Sequence, residues 1–252
     1  MTSELAVAGG GVAVGILFGL FGVGGSSFAT PVLSLLGVPP LLAVASALPA
    51  TIPSALSGSA SYIRREEMDW RVAWLSIAGG LPATIAGALL SRVVGGQTLL
   101  VASGVVLGVV GLRVLRSITP KTVEDGARRR RQIGLVLTAS AGVGLFTGLL
   151  ANGGGFLLVP VYLILLGMPM RTSSGTSLAV VAALSVPTLV THWALGNISW
   201  AVAVAFAVGA IPAAYAGGRL ADHFDGNRLR VAFGCLLIVF ATCFVIRQVL
   251  KG

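Results

Sequence analysis

Residues 18–39 read FGLFGVGGSSFATPVLSLLGVP, and residues 146–169 read FTGLLANGGGFLLVPVYLILLGMP. In both stretches a cluster of glycines interrupts an apolar run, a proline follows, and a Gly-x-Pro turn closes the segment. A hydrophobic segment that is interrupted by glycine and occurs twice is typical of the substrate site of a secondary transporter. The two stretches therefore predict an internal duplication and the place of a binding site.

The composition is that of a membrane protein. Of the 252 residues 56% are hydrophobic and only 10% are charged, whereas a soluble domain has about 25% charged residues. None of the apolar runs has the alternating pattern of a barrel strand. We therefore expect an all-α polytopic membrane protein. Runs of about 20 residues, the length of a membrane-spanning helix, occupy 41–63, 70–91, 98–116, 173–195, 200–221 and 229–250.

The formal net charge of +9 does not indicate nucleic-acid binding. Its largest block, Arg128 to Arg131, lies in the polar stretch TPKTVEDGARRRR at 119–131. Basic loops orient a membrane protein and contact anionic lipid headgroups. The expected partners are therefore the lipid bilayer and a small anionic substrate, and no nucleic acid; a homo-oligomer is compatible with the sequence.

The duplication extends beyond the two glycine-rich stretches. Pro31 corresponds to Pro160, and after one inserted residue many Gly, Pro and Trp positions recur at a constant offset. The sequence thus predicts a first transmembrane repeat at 1–116, a basic cytoplasmic linker at 117–132 and a second transmembrane repeat at 133–252. The matched pairs are Gly37/Gly167, Pro39/Pro169, Trp70/Trp200, Gly79/Gly209, Pro82/Pro212, Gly87/Gly217 and Gly104/Gly234.

The direction of the second repeat depends on how each glycine-rich segment is threaded. One long broken helix gives four crossings per half and parallel repeats, whereas a pair of short helices, re-entrant or fully crossing, gives inverted repeats. Inversion leaves only Arg92, Arg247 and Lys251 on the side opposite the basic linker, whereas parallel repeats leave five basic residues there. The positive-inside rule favours inversion. Each half is then expected to hold a short-helix pair plus three full transmembrane helices.

A glycine cluster that forms the turn of such a pair must be buried in protein or line an aqueous cavity. The second short helix then directs free N–H groups and the positive end of its dipole into the protein, which makes an anion site without Lys or Arg. We expect the two turns to face each other in mid-bilayer. The residues predicted to bind substrate there are Gly24, Gly25, Ser26, Ser27, Asn152, Gly153, Gly154 and Gly155. The predicted helix breaks or hinges are Pro31 and Pro160.

A helix rich in small hydroxyl residues follows each glycine-rich segment, SALPATIPSALSGSASY at 46–62 and TSSGTSLAVVAALSVPTLVTH at 172–192. Most of these hydroxyl groups are expected to bond carbonyl oxygens of their own or a neighbouring helix. Ser46, Thr176 and Ser177 are the exceptions, because they follow the turn closely and Ser46 aligns with Thr176. We expect these three residues to contact the substrate.

The eight acidic residues all lie in predicted loops or at helix ends, so no carboxylate within a span can bind a cation or relay protons. Terminal arginines apart, the only ionisable residue near a span is His192, which is the candidate for proton coupling. The sequence contains no nucleotide-binding loop, metal-ligand cluster or Ser–His–acid set. We therefore expect no cofactor, no metal and no enzymatic activity.

The stretches FGVGGSSFATPVL and ANGGGFLLVPVYLILLGMPMRTSSGTSLAVV, with the later run from His192 to Trp200, resemble the TauE/SafE family of sulfite and organosulfur anion exporters. The resemblance covers nearly the entire chain and implies a carrier of small anions in the cytoplasmic membrane. The positions that match the family motifs are Gly24, Gly25, Ser26 and Pro31 in the first copy, and Gly153, Gly154, Gly155, Pro160, Thr176 and Ser177 in the second.

The resulting prediction is a secondary transporter that exports a small anion such as sulfite or an organosulfonate, with one half rocking against the other. An inside-negative potential favours the exit of an anion by about 2.3 kcal/mol per charge per 100 mV. Two other functions stay open on the sequence alone: a passive channel for small anions, and a membrane scaffold or assembly protein that moves no solute.

Overall fold

The helices of the computed structural model follow the apolar runs of the sequence. The structure describes residues 4–90, 111–114, 126–150 and 155–249, and all regular secondary structure within these ranges is helical. The predicted all-α architecture is thereby confirmed. The helices are α1 Glu4–Phe21, α2 Gly25–Leu35, α3 Pro40–Ile63, α4 Trp70–Leu90, α5 Gly126–Leu150, α6 Gly155–Leu165, α7 Met170–Ala194, α8 Trp200–Leu220 and α9 Gly226–Val249, with a 3₁₀ turn at Ala221–His223.

Five of these helices, α1, α3, α4, α7 and α8, are long and apolar enough to cross a membrane. The predicted spans at 41–63, 70–91, 173–195 and 200–221 are confirmed to within a few residues. The predicted span at 98–116 lies outside the described residues except for 111–114, which are helical. The chain is therefore a polytopic helical membrane protein.

Each glycine-rich segment was expected to join two short helices, but α1, the first helix of the first pair, is long. α2 and α6 have 11 residues each, which is about 16 Å at 1.5 Å per residue. α1, however, has 18 residues and is long enough to span the bilayer. It continues through the glycines at 9–11 because Gly10 packs against α2 and Gly11 packs against α8.

α5 begins at Gly126, seven residues before the predicted start of the second repeat. Arg128 to Arg131 therefore lie in the first two turns of a helix and not in an irregular linker. The rest of the predicted linker, 117–125, lies outside the described residues.

α1 lies along α8, and the two helices run in the same direction. Gly11 approaches the backbone of Phe206, and Gly19 approaches the backbone of Ala214, each so closely that an added methyl group would overlap a carbonyl oxygen. Small residues permit this close approach of membrane helices, whose association depends on packing.

α4 lies along α5 in the same way, and the two interfaces correspond position by position. The first helix of each predicted repeat therefore packs on the fourth helix of the other predicted repeat. The corresponding contacts are Gly15–Ala210 and Gly144–Gly80, Gly19–Ala214 and Gly148–Thr84, Gly209–Ala8 and Gly79–Leu137, and Gly217–Ile16 and Gly87–Leu145.

The bundle has two chemically different ends. One is the arginine end, which consists of Arg64–Asp69, Ala221–Asp225 and the start of α7 around Arg171; Arg65 Nη2 donates to the carbonyl oxygen of Gly218 there at 3.0 Å. The other is named the uncharged end after its turns 36–39 and 195–199, which contain no charged residue. α1, α3 and α8 end at the arginine end, whereas α4, α5 and α7 begin there.

The glycine contacts give a matched pair of substitutions on α1. Gly15→Ala should lower the free energy of unfolding by about 1–3 kcal/mol, because the methyl group would overlap the backbone of Ala210. Gly9→Ala should leave it unchanged or raise it, because a methyl group there meets open space. Thermal unfolding in detergent measures both; equal effects would contradict the described α1–α8 interface.

Candidate functional site

The segment between α1 and α2, Gly22 to Gly24, is buried. Gly22 has a φ of 69°, a left-handed conformation that glycine adopts without the strain that a side chain would cause. A methyl group added there would overlap the carbonyl oxygen of Ser174 in α7. The first predicted interruption is therefore present and lies inside the protein, as irregular backbone in a membrane requires.

Two serines of α7 satisfy the carbonyl groups at the end of α1. Ser174 Oγ donates to the carbonyl oxygen of Phe21 at 3.0 Å, and Ser177 Oγ donates to that of Gly22 at 2.8 Å. Both serines are fully buried. Ser177 was predicted to contact substrate, but its proton is directed at Gly22, so its observed contact is with the interruption itself.

The amino-terminal end of α2 starts inside the bundle. Its N-cap residue is Gly24, which is buried and has no side chain with which to cap the helix. Gly25 is the first helical residue. Of Ser26 and Ser27, predicted to cap the helix or donate to a ligand, the structure describes only the backbone, which is helical.

The second predicted turn lies between α5 and α6. Asn152, Gly153 and Gly154 lie outside the described residues, and Gly155 is the first residue of α6. The described ends of α1 and α5 lie at different depths, and the expectation that the two turns face each other stays a prediction. α1 ends beside the last turns of α8 at the arginine end, whereas α5 ends beside the last turns of α4 toward the uncharged end. The depth at which α1 or α5 ends is set by the helix that it packs against. These helices, α8 and α4, run in opposite directions.

Ser46 and Thr176 hold equivalent backbone positions. Ser46 Oγ accepts the N–H of Ser199 at 2.9 Å, and Thr176 Oγ1 accepts the N–H of Asp69 at 3.0 Å. Each hydroxyl thereby fixes the residue that precedes a fourth helix, α8 or α4. The two residues lie toward opposite ends of the bundle, so the structure does not bring them together in one site.

Pro31 and Pro160 do not break helices, which corrects their predicted role. Pro31 lies inside α2 and Pro160 lies inside α6. A proline removes one backbone hydrogen bond, but membrane helices tolerate this where neighbouring groups satisfy the freed carbonyl. A role as hinges stays a prediction.

His192 lies near the end of α7, at the uncharged end of the bundle, and is half-buried. Its Nδ1 atom is buried without a hydrogen-bond partner in the described part of the chain. Its part in proton coupling stays a prediction.

Sequence reasoning missed four buried hydroxyl groups. Many hydroxyls do bond their own helix as expected; Thr51, for example, donates to Ala47 at 3.0 Å. Leaving a buried hydroxyl without a partner costs about 1–3 kcal/mol, so each unpaired one is a candidate donor to a solute. Three of these four hydroxyls lie in the hydroxyl-rich stretches, whereas no sequence pattern distinguishes Ser140. Within the described ranges, the unpaired hydroxyls belong to Ser54, Ser140, Ser185 and Thr188.

Known proteins resemble this chain over nearly its whole length. The profile of the family "Sulfite exporter TauE/SafE" matches residues 7–243. A "Probable membrane transporter protein" of Xylella fastidiosa (strain 9a5c) is 28% identical over 254 residues, which are 98% of this chain and 96% of that protein. The "Probable membrane transporter protein YunE" of Bacillus subtilis is 25% identical over 233 residues, 83% of this chain and 84% of that protein. No solved structure gives a significant match.

The serine contacts predict a loss of stability. Ser174→Ala and Ser177→Ala should each lower the free energy of unfolding by about 1–3 kcal/mol, because a buried carbonyl loses its donor. Thr138→Ala is the control, since its exposed hydroxyl bonds only its own helix. Denaturation in detergent measures all three. Serine variants as stable as the control would show that these hydroxyls do not support the interruption.

Proposed function

The chain belongs to the sulfite exporter TauE/SafE family and is therefore a membrane transporter and not an enzyme, and we propose that it exports a small anion across the cytoplasmic membrane. Sulfite or an organosulfonate is the proposed substrate, from the family membership. The transport is secondary, driven for an anion by the inside-negative potential.

The buried start of α2 is the observation that supports an anion. The carbonyl groups before it are occupied by Ser174 and Ser177, so the chain presents the positive end of a helix dipole to the interior without a competing negative end. Gly24 and Gly25 let a solute approach the backbone closely. An oxyanion would bind there through amide hydrogens, as anions do at helix N-termini.

The charge of the interior also favours an anion over a cation. Every buried polar side chain in the described ranges is a serine or a threonine, apart from the phenol groups of Tyr62 and Tyr162. A hydroxyl group can donate to an anion, whereas a cation substrate usually has a carboxylate within the membrane. Ser54, Ser140, Ser185 and Thr188 are the proposed additional donors along the path.

We further propose that the two halves are inverted repeats. The ends of the helices support this, because equivalent helices reach the arginine end in opposite directions: α1 ends there and α5 begins there, and the pairs α3/α7 and α4/α8 differ likewise. The concentration of arginines at that end makes it the cytoplasmic side by the positive-inside rule.

Cysteine accessibility tests this topology. Arg228→Cys should react with a membrane-impermeant reagent only from the cytoplasmic side, like the reference Arg64→Cys, which is cytoplasmic in either arrangement. Arg228 suits the test because its side chain is 78% exposed. Reaction of Arg228→Cys from outside would require parallel repeats.

Transport in proteoliposomes tests the substrate class. We expect saturable, trans-stimulated uptake of sulfite or sulfoacetate, and a rise in melting temperature that grows with ligand concentration, to about 2.7 kcal/mol of stabilisation at 100 times Kd. Gly24→Leu should abolish both, because it blocks the start of α2, whereas Gly9→Leu should not, because Gly9 faces open space. Stabilisation by a cation alone would contradict the proposal, and single-channel conductance would indicate a channel.

A further inference from the structure

Three side chains form a charged cluster at the arginine end. Arg65 Nε lies 3.0 Å from Glu67 Oε2, and Arg171 Nη1 lies 3.4 Å from Glu67 Oε1. One carboxylate therefore bridges two guanidinium groups, and each of its oxygens contacts a different arginine. Because Arg65 belongs to the first repeat and Arg171 to the second, the carboxylate also links the two repeats.

Both arginines are held in place independently of Glu67. Arg65 Nη2 donates to the carbonyl oxygen of Gly218 at 3.0 Å, and Arg171 Nη2 donates to those of Phe224 at 2.8 Å and Asp222 at 3.0 Å. A longer contact of 3.7 Å joins Arg171 to the Asp222 carboxylate. Arg171 Nε is buried and has no partner in the described part of the chain. The two guanidinium groups thus form a preorganised anion site that Glu67 occupies.

The cluster is linked to the end of α1 through Tyr62. The Arg65 guanidinium lies over the ring of Tyr62, 5.1 Å from its centroid. The Tyr62 hydroxyl shares its proton between the carbonyl oxygens of Gly19 at 2.9 Å and Leu20 at 3.1 Å, in the last turn of α1. One tyrosine therefore connects the charged residues with the turn of α1 that precedes the interruption.

The uncharged end has no equivalent of this cluster in the sequence. At the repeat offset, Arg65 corresponds to Leu195, Glu67 to Asn197 and Arg171 to Leu41. A structural need common to both repeats would be expected at both ends, so the cluster serves a purpose particular to one side of the membrane.

We propose that Glu67 is a built-in surrogate for the transported anion: it closes the cytoplasmic entrance by bridging Arg65 and Arg171, and an incoming oxyanion displaces it. The inference rests on the proposed function, which supplies the anion and the orientation. Arginine prefers groups with two or more coplanar acceptor oxygens, so a sulfonate or sulfite fits where the carboxylate lies.

The exposure of the cluster allows such an exchange. The side chains of Arg65, Glu67 and Arg171 are 22%, 21% and 29% exposed, so a solute reaches them from water. Displacement of Glu67 replaces an ionic link that is anchored to the chain with a link through a free solute, which can leave the two arginines toward the interruption. The entry of the anion and the opening of the entrance toward the interruption thereby occur together.

A cysteine reporter tests the closure without any transport assay. In a protein that carries Cys235→Ala and Cys243→Ala, Val23→Cys places one thiol in the buried interruption, where Val23 is 0% exposed. Its rate of reaction with a membrane-impermeant, cationic methanethiosulfonate is measured from the cytoplasmic side of inside-out vesicles. Glu67→Gln should raise this rate about tenfold, because both charge contacts are lost.

Two controls match the charge changes. Glu66→Gln removes the same charge from an exposed neighbour and should leave the rate unchanged. Arg171→Gln should raise the rate as Glu67→Gln does, whereas Arg228→Gln, whose exposed side chain pairs with Asp225, should not. The melting temperature of each variant verifies that it is folded. If Glu67→Gln is not folded, Arg171→Gln serves as the test in its place.

Sulfoacetate gives the second arm of the experiment. It should accelerate labelling of the protein that retains Glu67, relative to choline chloride at equal ionic strength, and should add nothing in Glu67→Gln. Labelling of folded Glu67→Gln at the rate of Glu66→Gln would overturn the inference. That result in a protein that still transports sulfoacetate would leave the proposed function intact. Accelerated labelling of Glu67→Gln, with no anion transported by the protein that retains Glu67, would reject the proposed function and the part of the anion in the inference, but not the closure by Glu67.

Discussion

Backbone that leaves a helix inside a membrane must find its hydrogen-bond partners within the protein, and this constraint explains the rest of the structure. The carbonyl groups of Phe21 and Gly22 obtain their donors from Ser174 and Ser177, which lie 153 and 155 residues away in the sequence. The interruption is therefore stable only when the amino-terminal and carboxy-terminal parts of the chain are packed together. A positive helix end can then lie in the interior without an unpaired negative end beside it.

The glycine contacts supply the packing that this arrangement needs. Each repeat places its first helix on the fourth helix of the other, so neither repeat buries these faces alone. Two single hydrogen bonds, Ser199 to Ser46 and Asp69 to Thr176, also join the first part of the chain to the second. Motion of one sequence half against the other would break these contacts. The bodies that move in transport are therefore expected to mix both repeats, one containing α1 and α8 and the other containing α4 and α5.

Features that depend on residue type could be predicted from the sequence. Features that depend on contacts with distant parts of the chain could not. Membrane spans and the interruption at Gly22–Gly24 followed from apolar runs and glycine, because lipid restricts backbone so strongly. The depth of the interruption, however, depends on which helix α1 packs against, and the roles of Ser46 and Thr176 depend on amides more than 100 residues away. Pro31 suggested a helix break because the backbone hydrogen bond that a proline removes can be predicted from the sequence. The packing that compensates for this loss cannot. The contacts of Glu67 with Arg65 and Arg171 likewise arise only when the ends of several helices meet.

The buried start of α2 is the proposed binding place of the transported anion. Solid-state NMR can follow the amide nitrogens of Gly24 and Gly25 one by one in lipid. We expect their chemical shifts to change with sulfoacetate until the change saturates, and to stay constant with choline chloride. Saturable binding of sulfoacetate that shifts other residues and leaves both glycine amides unchanged would contradict this proposal.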